Sequence, residues 1–237
     1  MSPEGNPSPP EAFRELLAAA APRFALSLSP GALDSLSRFL AELDRWRRAM
    51  DLTGPLTTSE LADHALESAF GASLLPQAGG ILDIGSGAGF PAIPLALVLP
   101  DVSVSALEPR SKRAEFLRHV SRSVPVPNVE VVRARLETLG ERSFEAATFR
   151  AVARVADLAP EASFLAPDGL LLAWTTDVER LSRELSPVFL LEKTEPVPGS
   201  RRRAIAVFRK TAVPSRQRLG DNAVGSKGGV FPVERRD

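Results

Sequence analysis

The residues with the clearest chemical character form a glycine-rich turn, DIGSGAGFP, at residues 83–91. A short apolar run at residues 81–84 leads into this turn, and a helical pattern begins at Pro91. Glycines in a turn let the backbone approach a ligand without an intervening Cβ atom. The N-terminus of the following helix adds free N–H groups and the positive end of a dipole. Strand, glycine turn and helix in this order predict a nucleotide-type site in an α/β protein.

The spacing of these glycines distinguishes between nucleotide ligands. Gly85, Gly87 and Gly89 give G-x-G-x-G, whereas the dinucleotide fingerprint is G-x-G-x-x-G. The pattern resembles motif I of the class I S-adenosylmethionine-dependent methyltransferases. Their ligand is cationic at sulfur and lacks a pyrophosphate, so an acidic residue beside the loop, here Asp83, is physically reasonable. Asp83 either contacts the cofactor through water or braces the loop, and Glu108, at the end of the next predicted strand, can accept the ribose hydroxyls.

Composition excludes several other chemistries. The 237 residues contain no cysteine, which excludes disulfides, thiolate metal sites and a cysteine nucleophile. Histidine occurs only as His64 and His119, so a histidine-rich metal site is excluded as well. The 29 basic and 29 acidic residues balance, so net charge does not indicate nucleic-acid binding and only a local patch could. Acidic residues near the N-terminus and the lack of a long apolar run predict a cytoplasmic protein outside the membrane.

Periodicity divides the chain into segments that would position the glycine turn. Residues 1–10 are predicted to be disordered, 11–80 to form a helical extension, 81–210 to form the S-adenosylmethionine-binding domain, and 211–237 to be a flexible basic tail. Within the extension, helices are predicted at residues 11–21, from Ser29-Pro30 onward, and after a cap at Thr58 or Ser59.

From residue 81 onward, short apolar strands alternate with helices, which predicts a mostly parallel, Rossmann-like sheet. The predicted strands cover residues 81–84, 102–107, 129–132, 144–149 and 170–174, with residues 188–191 and 204–208 as a closing pair. One helix is predicted to begin at residue 91, and three more are predicted at residues 111–121, 155–165 and 178–185.

Six sequence blocks resemble the glucose-inhibited division protein B family, the guanine-N7 methyltransferases of small-subunit ribosomal RNA. The blocks occupy residues 43–53, 63–68 (DHALES), 83–95 (DIGSGAGFPAIPL), 107–117, 135–137 and 150–151. The resemblance implies a class I methyltransferase fold with an N-terminal helical extension. It also implies S-adenosylmethionine as cofactor and 16S ribosomal RNA, or the small ribosomal subunit, as substrate. A monomer is expected.

The resemblance also implies site residues, although it assigns no catalytic side chain. The cofactor site would comprise Gly85, Gly87, Phe90, Glu108, Leu136, Glu137 and Arg150, with Leu136 and Glu137 beside the adenine. On the RNA-binding side, His64 resembles the family's histidine, and the alternative is a helix histidine with local partners. Arg110, Lys112 and Arg113 are assigned to the same side from their clustering on or near one helix. Guanine N7 has a free in-plane lone pair, so the lack of an obvious general base is compatible with methylation there.

Several alternatives remain open at this point. The basic residues around 110–122 form either an RNA-binding patch or a solvated helix face with local ion pairs. Arg201-Arg202-Arg203 is interpreted as a solvated turn in preference to an RNA contact, and Trp46 and Phe39 as core residues in preference to base-stacking residues. The family usually has Lys-Gly after the fifth strand, where this chain has Trp174-Thr175-Thr176. That departure leaves a non-catalytic ribosome-assembly protein as an alternative, and a nucleotide-cofactor oxidoreductase is a third hypothesis.

Overall fold

The protein is built around a seven-stranded sheet with the strand order β3-β2-β1-β4-β5-β7-β6. The computed structural model describes residues 8–140, 142–151, 158 and 162–211. The strands are β1 Gly79–Ile84, β2 Val102–Leu107, β3 Val129–Val132, β4 Phe144–Arg150, β5 Leu165–Thr175, β6 Phe189–Pro196 and β7 Ala204–Lys210. The first five are parallel, and β7 pairs antiparallel with both β5 and β6. The mostly parallel sheet and its closing pair are therefore confirmed.

Strand order reverses between β1 and β4. Ile84 at the end of β1 is in register with Leu107 of β2 on one side and Phe149 of β4 on the other. The loops that leave these strands consequently meet at one edge. In open α/β sheets, ligands bind at this edge, beyond the carboxyl ends of the strands where the order reverses.

In the part of the chain that the structure describes, six α-helices flank the sheet: α1 Pro9–Ala20, α2 Pro30–Trp46, α3 Thr58–Phe70, α4 Ala92–Val98, α5 Ser111–Ser123 and α6 Val178–Leu185. The sheet has a hydrophobic core on each face, and neighbouring residues of β1 point into different cores. Ile81 belongs to the core that contains α1 to α5, and Leu82 belongs to the core that contains α6. The helical extension thus covers one face of the sheet together with α4 and α5. Within the described ranges, no helix is long and apolar enough to cross a membrane.

The starts of the helices in the extension follow from local capping chemistry. The side chain of Ser29 accepts a hydrogen bond from the Ala32 N–H at 3.2 Å, as the Ser-Pro pattern predicts. The predicted cap of α3 is wrong by one position, because Thr57 and Glu60 exchange hydrogen bonds in a capping box. Helix α1 begins at Pro9, so the segment predicted to be disordered overlaps it by two residues.

Strand β5 differs most from its prediction. It begins at Leu165 rather than at residue 170, because Leu165 already pairs with Phe144. A register shift absorbs the Pro-Asp-Gly segment, in which Asp168 adopts a positive φ of 59°. Most of the helix predicted at residues 155–165 falls outside the described residues, and its described end, Ala162–Phe164, is a 3-10 turn. The predicted tail is likewise outside them, apart from Thr211.

Candidate active site

The glycine loop between β1 and α4 has a backbone that favours glycine at three alternate positions. Gly85, Gly87 and Gly89 have φ values of 75°, 50° and 91°, in the left-handed region. The N–H groups of Gly85 and Ser86 both donate to the carbonyl of Leu107, at 2.8 and 3.1 Å, which ties the loop to the end of β2. The loop therefore keeps its shape, and Gly85, its exposed residue, presents backbone without a side chain.

Glu108 is held against this loop by backbone donors. Its Oε2 accepts the Gly87 N–H at 3.0 Å, and its Oε1 accepts the Arg110 N–H at 2.8 Å. The residue is only 3% exposed. Each carboxylate oxygen can accept two hydrogen bonds, so each keeps capacity for one more donor. A fixed acceptor pair beside a glycine loop fits the two hydroxyls of a ribose.

Asp83 lies fully buried under the loop. Thr148, its partner across the β1–β4 ladder, donates from Oγ1 to Oδ1 at 2.8 Å. Its Oδ2 has no hydrogen-bond partner within the described part of the chain. Burial is the main cause that raises the pKa of this carboxyl from 3.8 to about 6. Asp83 thus ties the end of β1 to β4 through Thr148, directly beneath the loop.

The other predicted cofactor residues on the loop and after β3 differ in exposure. Phe90 is buried and packs edge-to-face with Phe39 at 5.4 Å and with His64 at 6.1 Å, so it anchors the loop to the extension. Leu136 and Glu137 lie on a 3-10 turn, Leu136–Thr138, that follows β3 at the same sheet edge. Leu136 is half-buried, and Glu137 is exposed.

Arg150 belongs to a buried charge cluster that faces α3. Its Nη2 donates to Glu67 Oε2 at 2.7 Å, and Glu67 is only 1% exposed. Arg203 of the β6–β7 turn places Nη1 2.8 Å from Glu67 Oε1, an ion pair whose N–H direction is not aligned for a hydrogen bond. The Trp174 indole donates to the Glu67 carbonyl at 3.1 Å. Two arginines from distant segments therefore converge on the Glu67 carboxylate, and Trp174 binds the backbone of the same residue.

Sequence reasoning did not identify Glu67 or Arg203 as site residues. Glu67 lies inside the DHALES block, which was the available signal. Arg203 carried no signal, since its partner is 136 positions earlier in the chain.

Trp174 is packed into the fold where the family usually has lysine. An added Cβ on Gly71 would lie only 2.4 Å from Trp174 Cζ2, so the glycine makes room for the indole. The ring also lines a cavity of about 270 Å³ together with Arg150, Arg180 and Arg203. The departure from the family pattern is therefore accommodated by packing and leaves an open cavity beside Arg150.

The predicted basic patch divides into two groups. Arg118 and Arg122 both pair with Glu115, at 3.8 and 3.3 Å, as the solvated-face alternative expects. Arg110 and Lys112 are exposed and form no ion pair within the described ranges. Arg113 donates to the carbonyl of Asp51 at 3.1 Å, and its Nη1 would lie 3.5 Å from a Cβ on Gly87. Arg113 therefore faces the glycine loop.

The aromatic and histidine residues on α2 and α5 have packing roles. Trp46 contacts Phe116 and His119 at ring separations of 5.6 and 5.0 Å, and Phe39 is completely buried. His119 Nε2 lies 2.7 Å from Glu42 Oε2, between α5 and α2. The core interpretation of Trp46 and Phe39 is confirmed. In the ranges that the structure describes, no cluster of three or more histidine or carboxylate side chains could hold a metal ion.

We expect His64 to be neutral at pH 7 and to make folding sensitive to acid. Burial, followed by the charges of Arg150 and Arg203, lowers the pKa of its imidazole from 6.5 to about 4. Because the folded pKa lies below the unfolded value, this stability is fully present above pH 6.5 and is lost as the pH falls toward 4. The loss should reach about 2–3 kcal/mol near pH ~4.5.

Urea unfolding of the native protein and of His64→Gln, at pH 7 and near pH ~4.5, measures this contribution. The native protein should lose about 2–3 kcal/mol more than the variant between the two pH values. Equal losses in both proteins would show that His64 does not titrate in this way. Asp83 is common to both proteins, so its own titration cancels in the comparison.

The fold and the site together define a class of enzyme. A mostly parallel sheet that reverses between β1 and β4, with a glycine loop and a fixed acidic residue at that edge, is that of a class I S-adenosylmethionine-dependent methyltransferase. TrmN from Thermus thermophilus has this fold: its solved structure matches at a TM-score of 0.54 and 22% identity, over 73% of this chain and 52% of that chain. The structure of ribosomal protein L11 methylase from Lactobacillus delbrueckii matches at a TM-score of 0.53 and 14% identity. The match covers 63% of this chain and 80% of that chain.

The chain belongs to the rRNA small subunit methyltransferase G (GidB) family, whose model matches residues 32–184. The ribosomal RNA small subunit methyltransferase G of Halorhodospira halophila is 39% identical over 196 residues, which cover 79% of this chain and 92% of the relative. The protein of the same name from Roseiflexus is 33% identical over 221 residues, which cover 84% of this chain and 92% of the relative. The family resemblance of the six sequence blocks is thereby confirmed.

Proposed function

We propose that this protein methylates N7 of a guanine in the 16S RNA of the small ribosomal subunit, with S-adenosylmethionine as the methyl donor. The observation that carries the proposal is the glycine loop with Glu108 fixed against Gly87 at the point where strand order reverses. The printed names of its relatives, which are small-subunit ribosomal RNA methyltransferases, support the substrate class.

The cofactor fits the residues at this edge. We assign the ribose hydroxyls to Glu108, the amino-acid end to the backbone of Gly85 and Gly87, and the adenine to the turn that carries Leu136 and Glu137. When bound, S-adenosylmethionine supplies an electrophilic methyl group on a sulfonium centre. Asp83 lies fully buried beneath the loop, and the negative charge of its carboxylate suits a positively charged ligand.

The substrate side lies toward α3, and its residues position the base rather than accept a proton. Guanine N7 presents its lone pair without deprotonation, so orientation supplies much of the rate. Arg150, which the sequence predicted on the cofactor side, is held by Glu67 and lines the cavity at the ends of β4 and β5, so we assign it to the substrate side. Its Nη1 donates to the His64 carbonyl at 3.4 Å, which places the neutral His64 next to it. Arg110 and Lys112, exposed at the start of α5 beside the glycine loop, are suited to contact RNA phosphates. Arg113, which faces the glycine loop, would then support that loop and would not bind RNA.

We also propose that the protein acts as a monomer in the cytoplasm, where small-subunit RNA is found. The two other functions have less support. An oxidoreductase would need the G-x-G-x-x-G spacing, which this loop lacks. A non-catalytic assembly protein was suggested by the absence of the family's lysine, but Trp174 is accommodated beside an open cavity.

The direct test is methyl transfer from labelled S-adenosylmethionine to small ribosomal subunits that lack this modification, followed by digestion to nucleosides. We expect the label in 7-methylguanosine. Label in another nucleoside would support S-adenosylmethionine as the cofactor but would overturn the assignment to guanine N7. A Gly85→Val variant should lose methyl transfer but still bind the RNA, since position 85 has a positive φ of 75°. If native protein and variant both bind RNA and neither transfers methyl, the assembly role is supported instead.

A further inference from the structure

Two adjoining cavities beside the Glu67 cluster are lined by arginine. The first, of about 270 Å³, contains Arg150, Arg180 and Arg203. The second, of about 530 Å³, runs along the β6–β7 turn and is lined by Thr176, Gly199, Ser200, Arg201, Arg202 and Arg203. Thr176 and Arg203 line both cavities, so the two lie side by side, and together they are called the arginine groove. Among the described residues, its lining contains five arginines and a single carboxylate, that of Glu67.

The β6–β7 turn is held in a defined position against the rest of the protein. The Arg203 guanidinium reaches Glu67 on α3, and the Val197 N–H donates to the Arg203 carbonyl at 3.0 Å to close the turn. Gly199 has a φ of 78° and lies so close to Arg23 that an added Cβ would be 3.2 Å from its Cδ. Arg23 itself forms an ion pair with Asp63 of α3. The extension therefore supports the turn from beneath.

Arg201 and Arg202 at the tip of this turn are exposed and uncompensated. Throughout the described ranges, neither guanidinium forms an ion pair, whereas Arg118, Arg122, Arg142 and Arg209 each pair with a glutamate. A pre-positioned arginine without an acidic partner is well suited to bind phosphate, because its planar fork matches two phosphate oxygens. Both residues lie outside residues 32–184, the segment that the family model matches.

We infer that the Arg201-Arg202-Arg203 turn is a phosphate-binding surface that holds the RNA backbone next to the target nucleotide. The groove leads from this turn, past Thr176, to the cavity beside Arg150, so RNA bound at the turn is directed toward the substrate side. This replaces the earlier interpretation of the three arginines as a merely solvated turn. The inference rests on the proposed function, because it takes the RNA substrate from there.

The test compares an Arg201→Ala/Arg202→Ala variant with a control, Arg38→Ala/Arg142→Ala. The control removes the same charge from two exposed arginines outside both cavities. We expect the turn variant to raise the KM for small ribosomal subunits by about 10-fold and to lower the slope of log KM against log salt by about 1–2. Its kcat and its Kd for S-adenosylmethionine should match those of the control.

Direct binding to naked 16S RNA separates failure of this inference from failure of the proposed function. If the native protein transfers no methyl group but the turn variant still binds RNA about 10-fold more weakly, with the reduced salt slope, the phosphate surface stands and the enzyme proposal falls. Equal RNA affinity and salt slope in both variants would overturn the inference. A defect with intact subunits but none with naked RNA would assign the surface to a ribosomal protein and overturn it as well.

Discussion

Replacing Glu108 with alanine is expected to weaken S-adenosylmethionine binding by about 100-fold. Both carboxylate oxygens are positioned by backbone N–H groups, of Gly87 and Arg110, and both have capacity for a ribose hydroxyl. Loss of hydrogen bonds to a charged acceptor costs about 1.5–3 kcal/mol, and ~2.7 kcal/mol corresponds to the expected change in Kd. Isothermal titration calorimetry with the isolated protein measures this directly, without an RNA substrate.

Two variants sharpen the Glu108 experiment. Glu108→Gln keeps the shape of the side chain and one oxygen acceptor. Its Kd for S-adenosylmethionine should therefore lie between those of the native protein and of Glu108→Ala. Glu130→Ala removes a carboxylate from the neighbouring strand β3, where it pairs with Arg142 on the surface, and should leave the Kd unchanged. A Glu108→Ala protein that is folded and binds within about 3-fold of the native Kd would show that the ribose lies elsewhere.

Replacing Glu67 with alanine is expected to lower the free energy of unfolding by about 3 kcal/mol. The carboxylate is 1% exposed, and its partners Arg150 and Arg203 are 16% and 40% exposed at their side chains. Removing one member of a buried ion pair leaves the other charge without compensation, which costs about 3–5 kcal/mol. The lower end applies here because Arg203 can turn toward water. Urea unfolding at pH 7 measures the change.

A surface ion pair provides the control for Glu67. Glu192 and Arg209 make two hydrogen bonds, at 2.6 and 2.9 Å, but both side chains are nearly half exposed. Glu192→Ala should therefore change the free energy of unfolding by less than about 1 kcal/mol. Losses of equal size in the two variants would contradict the argument that burial gives the Glu67 cluster its importance. In the Glu67→Ala protein, methyl transfer should also fall, since Arg150 loses its fixed position.

Local patterns in the sequence determined much of the fold. Strands β2 and β3 and helix α6 have the predicted bounds, because apolar runs and the helical repeat reflect burial that each segment carries by itself. The glycine loop was predictable for a similar reason, since positive φ values and close backbone approach require glycine whatever the surroundings. Glu108 was predictable from its place at the end of a strand that neighbours the loop.

Tertiary structure alone decided which distant residues meet. Glu67 and Arg150 are 83 positions apart, and Trp174 is 107 positions from Glu67. They meet because β4 and β5 end at one sheet edge and β7, inserted antiparallel between β5 and β6, begins there. No local period encodes a partner across a sheet, so neither this cluster nor the arginine groove could be predicted from spacing. The sequence by itself determined the elements and the glycine loop, whereas strand order, which long-range packing selects, decided which residues surround the cavity beside Arg150.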